Sequence, residues 1–225
     1  MFKFKEISSD DMKVVVEEEQ HFLAKAQQRI ETTSIDGRDG DIIDFLGYSN
    51  IERPIKVQML DSNKLDDILS WLNGSGVFEY QNRITTAYFY QAVEPIRTSS
   101  IKVADLMFSR DPFWYKKDDE FVVVTDMIIN SGNVYSKPVI RLEKGTSDVI
   151  ELTIANVRFK YTFSNDETYV EIDCENMNAF YNGLMRNNLL EIGYDFPILN
   201  VGENSIVINS GDPVIKVKRK DRWLW

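Results

Sequence analysis

The chain has 225 residues, 43% of them hydrophobic and 28% charged, a balance that supports a folded core and excludes a disordered chain. Acidic residues outnumber basic ones 36 to 26, giving a formal charge of -10 that disfavours a nucleic-acid binder unless the basic side chains gather on one face. One cysteine excludes an internal disulfide, and one histidine excludes zinc sites built from several histidines.

The N-terminal stretch MFKFKEISSDDM lacks the long apolar core of a signal peptide, and no run of about 18 apolar residues follows it. No membrane insertion is expected. FKFKEI alternates like a strand. The run Glu17, Glu18 and Glu19 reads as a solvated strand or loop, and His21 stands in it without a second ligand at helical spacing.

After the strand-like RIETTSI comes SIDGRDGDIIDF, where Asp36, Asp39, Asp41 and Asp44 surround Gly37 and Gly40. A calcium loop needs oxygen ligands at alternate positions and a glutamate at the twelfth. Counting from Asp36, the third position is Arg38 and the twelfth Gly47. The stretch Asp36, Gly37, Arg38, Asp39, Gly40 is therefore expected to be a tight β-turn with no metal.

PIKVQML continues in period two, and then SNKLDDILSWLNGSG breaks the pattern. Leu65, Ile68, Leu69 and Leu72 fall at helical spacing, Ser62 or Asn63 suits the start and Gly74 the end, so a helix is expected over 63–73. ITTAYFYQAV and SIKVADLMFS are further strands. The aromatics of AYFYQ and DPFWYKK, among them Phe113, Trp114 and Tyr115, are more often core or interface anchors in a β-protein and could also stack sugar rings; Trp223 near the C-terminus is a further candidate for an interface or for sugar stacking. KKDDE, Lys116 to Glu120, reads as a solvated turn.

NSGNVYSKP, Asn130 to Pro138, is rich in turn-forming residues between two strand-rich halves. It predicts domains at 1–133 and 134–225. Beyond it, VIELTI, VRFKYTF, TYVEIDC, SIVIN and VIKVKRK alternate between turns SNDE, NVGEN and NSGDP, which points to a β-sandwich. Cys174 falls where a small buried residue is expected, and the basic run Lys216 to Arg222 reads as a solvated strand face. The fold class is thus all-β, mainly antiparallel, with one helix. Neither a glycine-rich phosphate loop nor a dinucleotide fingerprint occurs, and no nucleophile stands beside a base, so no catalytic residue and no cofactor is assigned and an enzyme is not expected.

SSDDMKVVVEE, SIDGRDGDI, FSRDPFWY, NSGNVYSKPVIRL, YNGLMRNNLLEIGYDFPILNVGENSIVI and KRKDRWLW occur in this order from the first ten residues to the last. As a set they resemble the distal tail proteins (Dit) of long-tailed, non-contractile siphovirus phages. The resemblance implies an N-terminal tail-tube-like domain that is shaped by the Asp36–Gly40 stretch and forms a six-fold ring, and a C-terminal galectin-like β-sandwich akin to carbohydrate-binding modules. It implies a structural virion protein or prophage product, made in the bacterial host cytoplasm and placed at the virion tail tip. The implied partners are further copies in a homo-hexamer, the major tail tube protein, the tape-measure protein, a tail-associated hub or tip protein, and receptor-binding or baseplate proteins. DNA would pass the lumen without specific binding. Relatives with a long arm or an inserted sugar-binding module have a segment that 225 residues do not accommodate. The competing reading is a carbohydrate-binding module holding host wall sugars with Tyr169, Trp223 or the Trp114 cluster.

Overall fold

The computed structural model describes residues 1–91, 93–98, 101–193 and 195–225. Ala92 and Ser100, at the ends of two expected strands, and Tyr194, in the stretch that carries the resemblance, lie outside the described residues. Period-two segments become antiparallel strands, and the chain divides into two compact units, 1–117 with Leu224–Trp225, and 118–223.

In the first unit the strands are β1 (Lys3–Phe4), β2 (Ile7–Ser8), β3 (Val14–Val16), β4 (Gln28–Thr33), β5 (Ile42–Tyr48), β6 (Ile51–Met59), β7 (Gly74–Tyr80), β8 (Arg83–Phe89), β9 (Ile96–Thr98), β10 (Ile101–Arg110) and β11 (Trp114–Lys116). The main sheet runs β2-β1-β7-β8-β10-β6-β3, with β9 paired to β10 and β11 to β8. Among the described residues β4 and β5 pair only with each other, as a separate two-stranded ribbon. The expected helix is present as a 3-10 turn, Ser62–Lys64, running into α1, Leu65–Trp71. Its cap is Asp61, whose carboxylate accepts from the Asn63 amide at 3.0 Å, one residue earlier than expected. Ile68 and Trp71 lie buried, and the Trp71 indole donates to the Phe4 carbonyl at 2.7 Å, locking helix to sheet.

The core of this unit is aromatic. The acidic run leads into a 3-10 helix, Glu19–Leu23, where a solvated strand or loop was expected, and that turn drives Phe22 fully into the core. There Phe22 meets Phe2, Phe78, Tyr80 and Phe108 edge-on, at centroid distances of 5.5, 4.9, 5.2 and 5.0 Å. Edge-to-face contacts match the positive ring edge to a negative face, adding about 0.5–1.5 kcal/mol each beyond burial.

Tight turns set the registers. Lys5–Glu6, Gln81–Asn82, Ala155–Asn156 and Asn182–Gly183 each place two successive residues at positive φ, the twist that matches paired strands. FKFKEI is consequently no single strand: it folds back at Lys5–Glu6, pairing Phe4 with Ile7.

In the second unit the strands are β12 (Val122–Val124), β13 (Met127–Asn130), β14 (Val139–Glu143), β15 (Val149–Ile154), β16 (Val157–Thr162), β17 (Tyr169–Asp173), β18 (Asn178–Tyr181), β19 (Leu184–Met185), β20 (Leu190–Ile192), β21 (Gly202–Ser210) and β22 (Val214–Lys218). They form sheets in the orders β12-β22-β14-β17-β18-β19 and β13-β21-β15-β16-β20. Ile140, Leu142, Val170, Ile172 and Val217 from one and Ile150, Leu152, Ile154, Phe159 and Tyr161 from the other share a core that also takes in Cys174. The division expected at 133/134 is corrected to 117/118. β12 and β13 lie before the turn-rich stretch yet pair with β22 and β21, so their hydrogen bonds belong to the sandwich. Asn130 binds the turn-rich stretch to this unit, donating to the Val134 and Leu199 carbonyls and accepting from the Gly132 amide. The basic run is also corrected: Arg222 is buried and donates to the Tyr135 carbonyl at 2.7 Å, while Lys216 pairs with Glu143.

Glu167 is a buried carboxylate that accepts from Tyr161, from the Ser164 amide and from Arg186. Burial pushes its pKa up, but these donors outweigh burial and hold it below the ordinary glutamate range. A depressed folded pKa contributes stability that is complete above the unfolded value, about 4.3, and is lost as pH falls through the folded one. Glu167→Gln is therefore expected to lower the unfolding free energy by on the order of 2 kcal/mol at neutral pH. The gap to wild type should narrow below about pH 4, which urea denaturation at the two pH values reads. Phe22→Ala empties the ring cluster and is expected to cost about 3–5 kcal/mol in the same assay.

Candidate assembly site

The β4–β5 ribbon stands out because its side chains are uncovered. Residues 27–46 are exposed throughout except for half-buried Ile42. The register pairs Ile30 with Phe45 and Thr32 with Ile43, so one face carries an apolar row, its members 52% (Ile30), 49% (Phe45) and 62% (Ile43) exposed. On the other face Glu31 lies directly opposite Asp44, a like-charge pair that weakens the ribbon. A lone two-stranded ribbon is marginal in water, and an uncovered apolar row gives it a reason to seek a partner surface.

The acidic motif forms the ribbon tip. Gly37 and Gly40 sit at φ 81° and 79° with nothing within 4 Å of an added Cβ, so backbone freedom, not space, requires glycine there. The Arg38 amide donates to the Ile35 carbonyl, and the Ser34 hydroxyl donates to Asp41 at 2.6 Å. Among the described residues Arg38 makes no ion pair, and no three His, Cys, Asp or Glu side chains gather to hold a metal.

At the root, the Ser49 amide donates to the Gln27 carbonyl and closes the ribbon. Tyr48, the last residue of β5, meets Phe45 at 5.3 Å and Phe113 at 5.4 Å, both edge-on. The incoming strand is led from the core by residues 22–26, whose Phe22 and Ala24 carbonyls accept from Arg110 at 3.0 and 2.8 Å. Arg110 is fully buried, donates also to the Asp111 carbonyl and lies 4.9 Å over the Trp114 ring. Burial lowers its pKa to about 10, against the opposing pull of Asp111, so it stays charged at neutral pH. Tyr88 donates to Asp111 at 2.8 Å, and that bond, with burial, raises the phenol to about 12.

The aromatics put forward for stacking separate accordingly. Trp114 is fully buried, so of the readings open to it the core ring holds and its candidacy for an interface or for sugar stacking is corrected. Phe113 is half-buried at the ribbon root, Tyr115 half-buried in β11, and Trp223 half-buried in the second unit. Tyr169 has the Arg141 guanidinium 4.2 Å over its ring and Tyr181 edge-on at 5.1 Å, so its face is occupied. His21 is engaged at both nitrogens, 3.0 Å from the Pro54 carbonyl and 2.9 Å from Glu18. Cys174 is buried, and burial pushes its thiol far above the range of a nucleophile. Ile30, Ile43, Phe45 and Arg110 escape a reading by period because their signal lies in exposure and in a buried charge.

Residues 131–223 match the family model described as siphovirus-type tail component, C-terminal domain. The fold of the whole chain is that of SPP1 Dit (gp 19.1), a protein described as a paradigm of the hub adsorption apparatus in phages that infect Gram-positive bacteria. The TM-score is 0.72 at 13% identity, over 96% of this chain and 97% of that one. A chain of the phage P2 baseplate, in its activated conformation with Ca, aligns with a TM-score of 0.40 at 11% identity, over 95% and 93% of the two chains. No curated protein matches the sequence. The all-β fold expected from alternation and from the resemblance is thus present, and the match to the tail-component model lies wholly in the second unit.

An uncovered tip with a basic residue between two flexible glycines is a protease site. Trypsin is expected to cut the free protein first after Arg38, leaving residues 1–38 and 39–225 as the earliest fragments in mass spectrometry.

Proposed function

We propose that this chain, whose residues 131–223 match the tail-component domain, is a distal tail hub protein of a siphophage or prophage. Copies of it form a ring of six that joins the tail tube to the tip or baseplate and the host-recognition apparatus. The match over 131–223 carries this reading, and the likeness of the whole fold to SPP1 Dit accords with it.

The physical means of assembly lie in the first unit. A closed ring uses a heterologous interface, one surface meeting a different surface of the next copy. The ribbon supplies an apolar row on a protruding element, and β2 and β3, at the ends of the main sheet, supply strand edges on which Ile7 and Val15 are exposed. In this reading the ribbon of one copy lies on its neighbour and edge pairing continues the sheet between first units. The major tail tube protein and tape-measure protein meet one face of the ring, and the hub or tip protein meets the other. Receptor-binding or baseplate proteins attach at the periphery. The lumen passes DNA without specific binding, in keeping with a formal charge of -10.

Native mass spectrometry of the purified protein, alone and with the neighbouring tail proteins, is expected to show six copies. A monomer at high concentration in both settings overturns the proposal. Ile30→Ser with Phe45→Ser is expected to leave the monomer folded and weaken association on the order of a hundredfold, since each apolar side chain buried contributes about 1.5–3 kcal/mol.

A further inference from the structure

We propose that residues Arg110–Trp114 are the positioning element of the β4–β5 ribbon, a five-residue clamp that holds the segment leading into β4 and the end of β5, and so fixes the angle at which the ribbon leaves the first unit. The importance of that angle rests on the ribbon being the assembly surface; the clamp itself does not.

Among the described residues the ribbon has no sheet neighbour to orient it, since β4 and β5 pair only with each other. Its direction must come from the root. On the incoming side, Arg110 donates to the Phe22 and Ala24 carbonyls, four residues before β4 begins at the nearer of the two. On the outgoing side, Phe113 packs edge-on against Tyr48, the last residue of β5. The clamp is itself rigid. The Thr85 hydroxyl donates to the Phe113 carbonyl at 2.8 Å, Arg110 is paired to Trp114 through the indole face, and Asp111 is held by Tyr88. Arg110, the last residue of β10, thus holds the lead-in to β4, and Phe113, in the turn before β11, holds the end of β5. A guanidinium is suited to this, because its fixed fork of donors bridges carbonyls two residues apart, whereas a lysine ammonium offers one point charge.

The test attaches spin labels at Asp39→Cys, at the ribbon tip, and Asp66→Cys, exposed on α1, with buried Cys174 left unlabelled. With the labelled protein diluted in excess unlabelled protein, so that each ring holds at most one labelled copy, the wild-type background is expected to give one narrow distance distribution. Phe113→Ala should broaden it at least twofold while the thermal unfolding midpoint of the unit moves by only a few degrees, and Phe113→Tyr should restore the narrow distribution. Arg110→Lys should broaden it further, and if that variant fails to fold, Phe113→Ala decides. A distribution that stays narrow in Phe113→Ala overturns the clamp. In the same samples, native mass spectrometry should show association weakened at least tenfold in Phe113→Ala although the apolar row is intact. If Ile30→Ser with Phe45→Ser leaves the ring unchanged, the assembly reading fails, and the distance measurement still judges the clamp.

Discussion

A guanidinium sealed inside an aromatic core is the constraint on which the first unit turns. Taking a charge out of water costs several kcal/mol unless its donors are met, and Arg110 meets that demand with the carbonyls of Phe22, Ala24 and Asp111 and the face of Trp114. The segment from Glu19 to Ala26, a 3-10 turn and the residues after it, belongs to no strand, so its carbonyls need such a donor as much as the guanidinium needs acceptors. Each solves the other's difficulty. With the segment held, Phe22 stays among its four rings, the main sheet keeps its core closed, and the chain is delivered to the start of β4.

The second unit reaches order by a different route. Its core is mainly aliphatic with three aromatic rings, Phe159, Tyr161 and Phe163, and polar pins hold its loops. Asn204 folds the Asn200–Asn204 turn over itself, accepting from the Asn200 amide and donating to the Asn200 and Gly202 carbonyls. Asp212 accepts from the Thr146 and Ser147 amides and the Thr146 hydroxyl, fastening the loop after β14 to the one before β22. Glu167 does the same beneath the loop between β16 and β17. A sandwich fixed this way keeps its strand ends in place without long covering loops.

Much of this was legible in period-two patterning, because burial on one face leaves a direct trace in the chain. In VIELTI, Ile150, Leu152 and Ile154 are buried while Glu151 and Thr153 remain accessible, as alternation requires. The helix was legible for the same reason at a different period. Turn composition was legible in SNDE, between β16 and β17, and in NSGDP, which joins β21 to β22, and invisible at Lys5–Glu6, where two ordinary residues adopt positive φ. The unit boundary was missed because the charged run at Lys116–Glu120 looks like any solvated turn, while the Asn130–Pro138 stretch advertises flexibility that Asn130 in fact removes. The ribbon root was beyond reach, since no local pattern shows that an arginine at the end of a strand will bind a segment more than eighty residues earlier.

The opposition of Glu31 and Asp44 has a bearing on timing. Two carboxylates facing each other across a slender ribbon make free copies repel over roughly 8 Å at physiological salt. The apolar row behind them attracts only on contact. In the ring proposed above, copies meeting face-on to these acids would repel, whereas contact through the apolar row would be favourable. One direction of approach would then be preferred, which suits a closed assembly better than indiscriminate clumping.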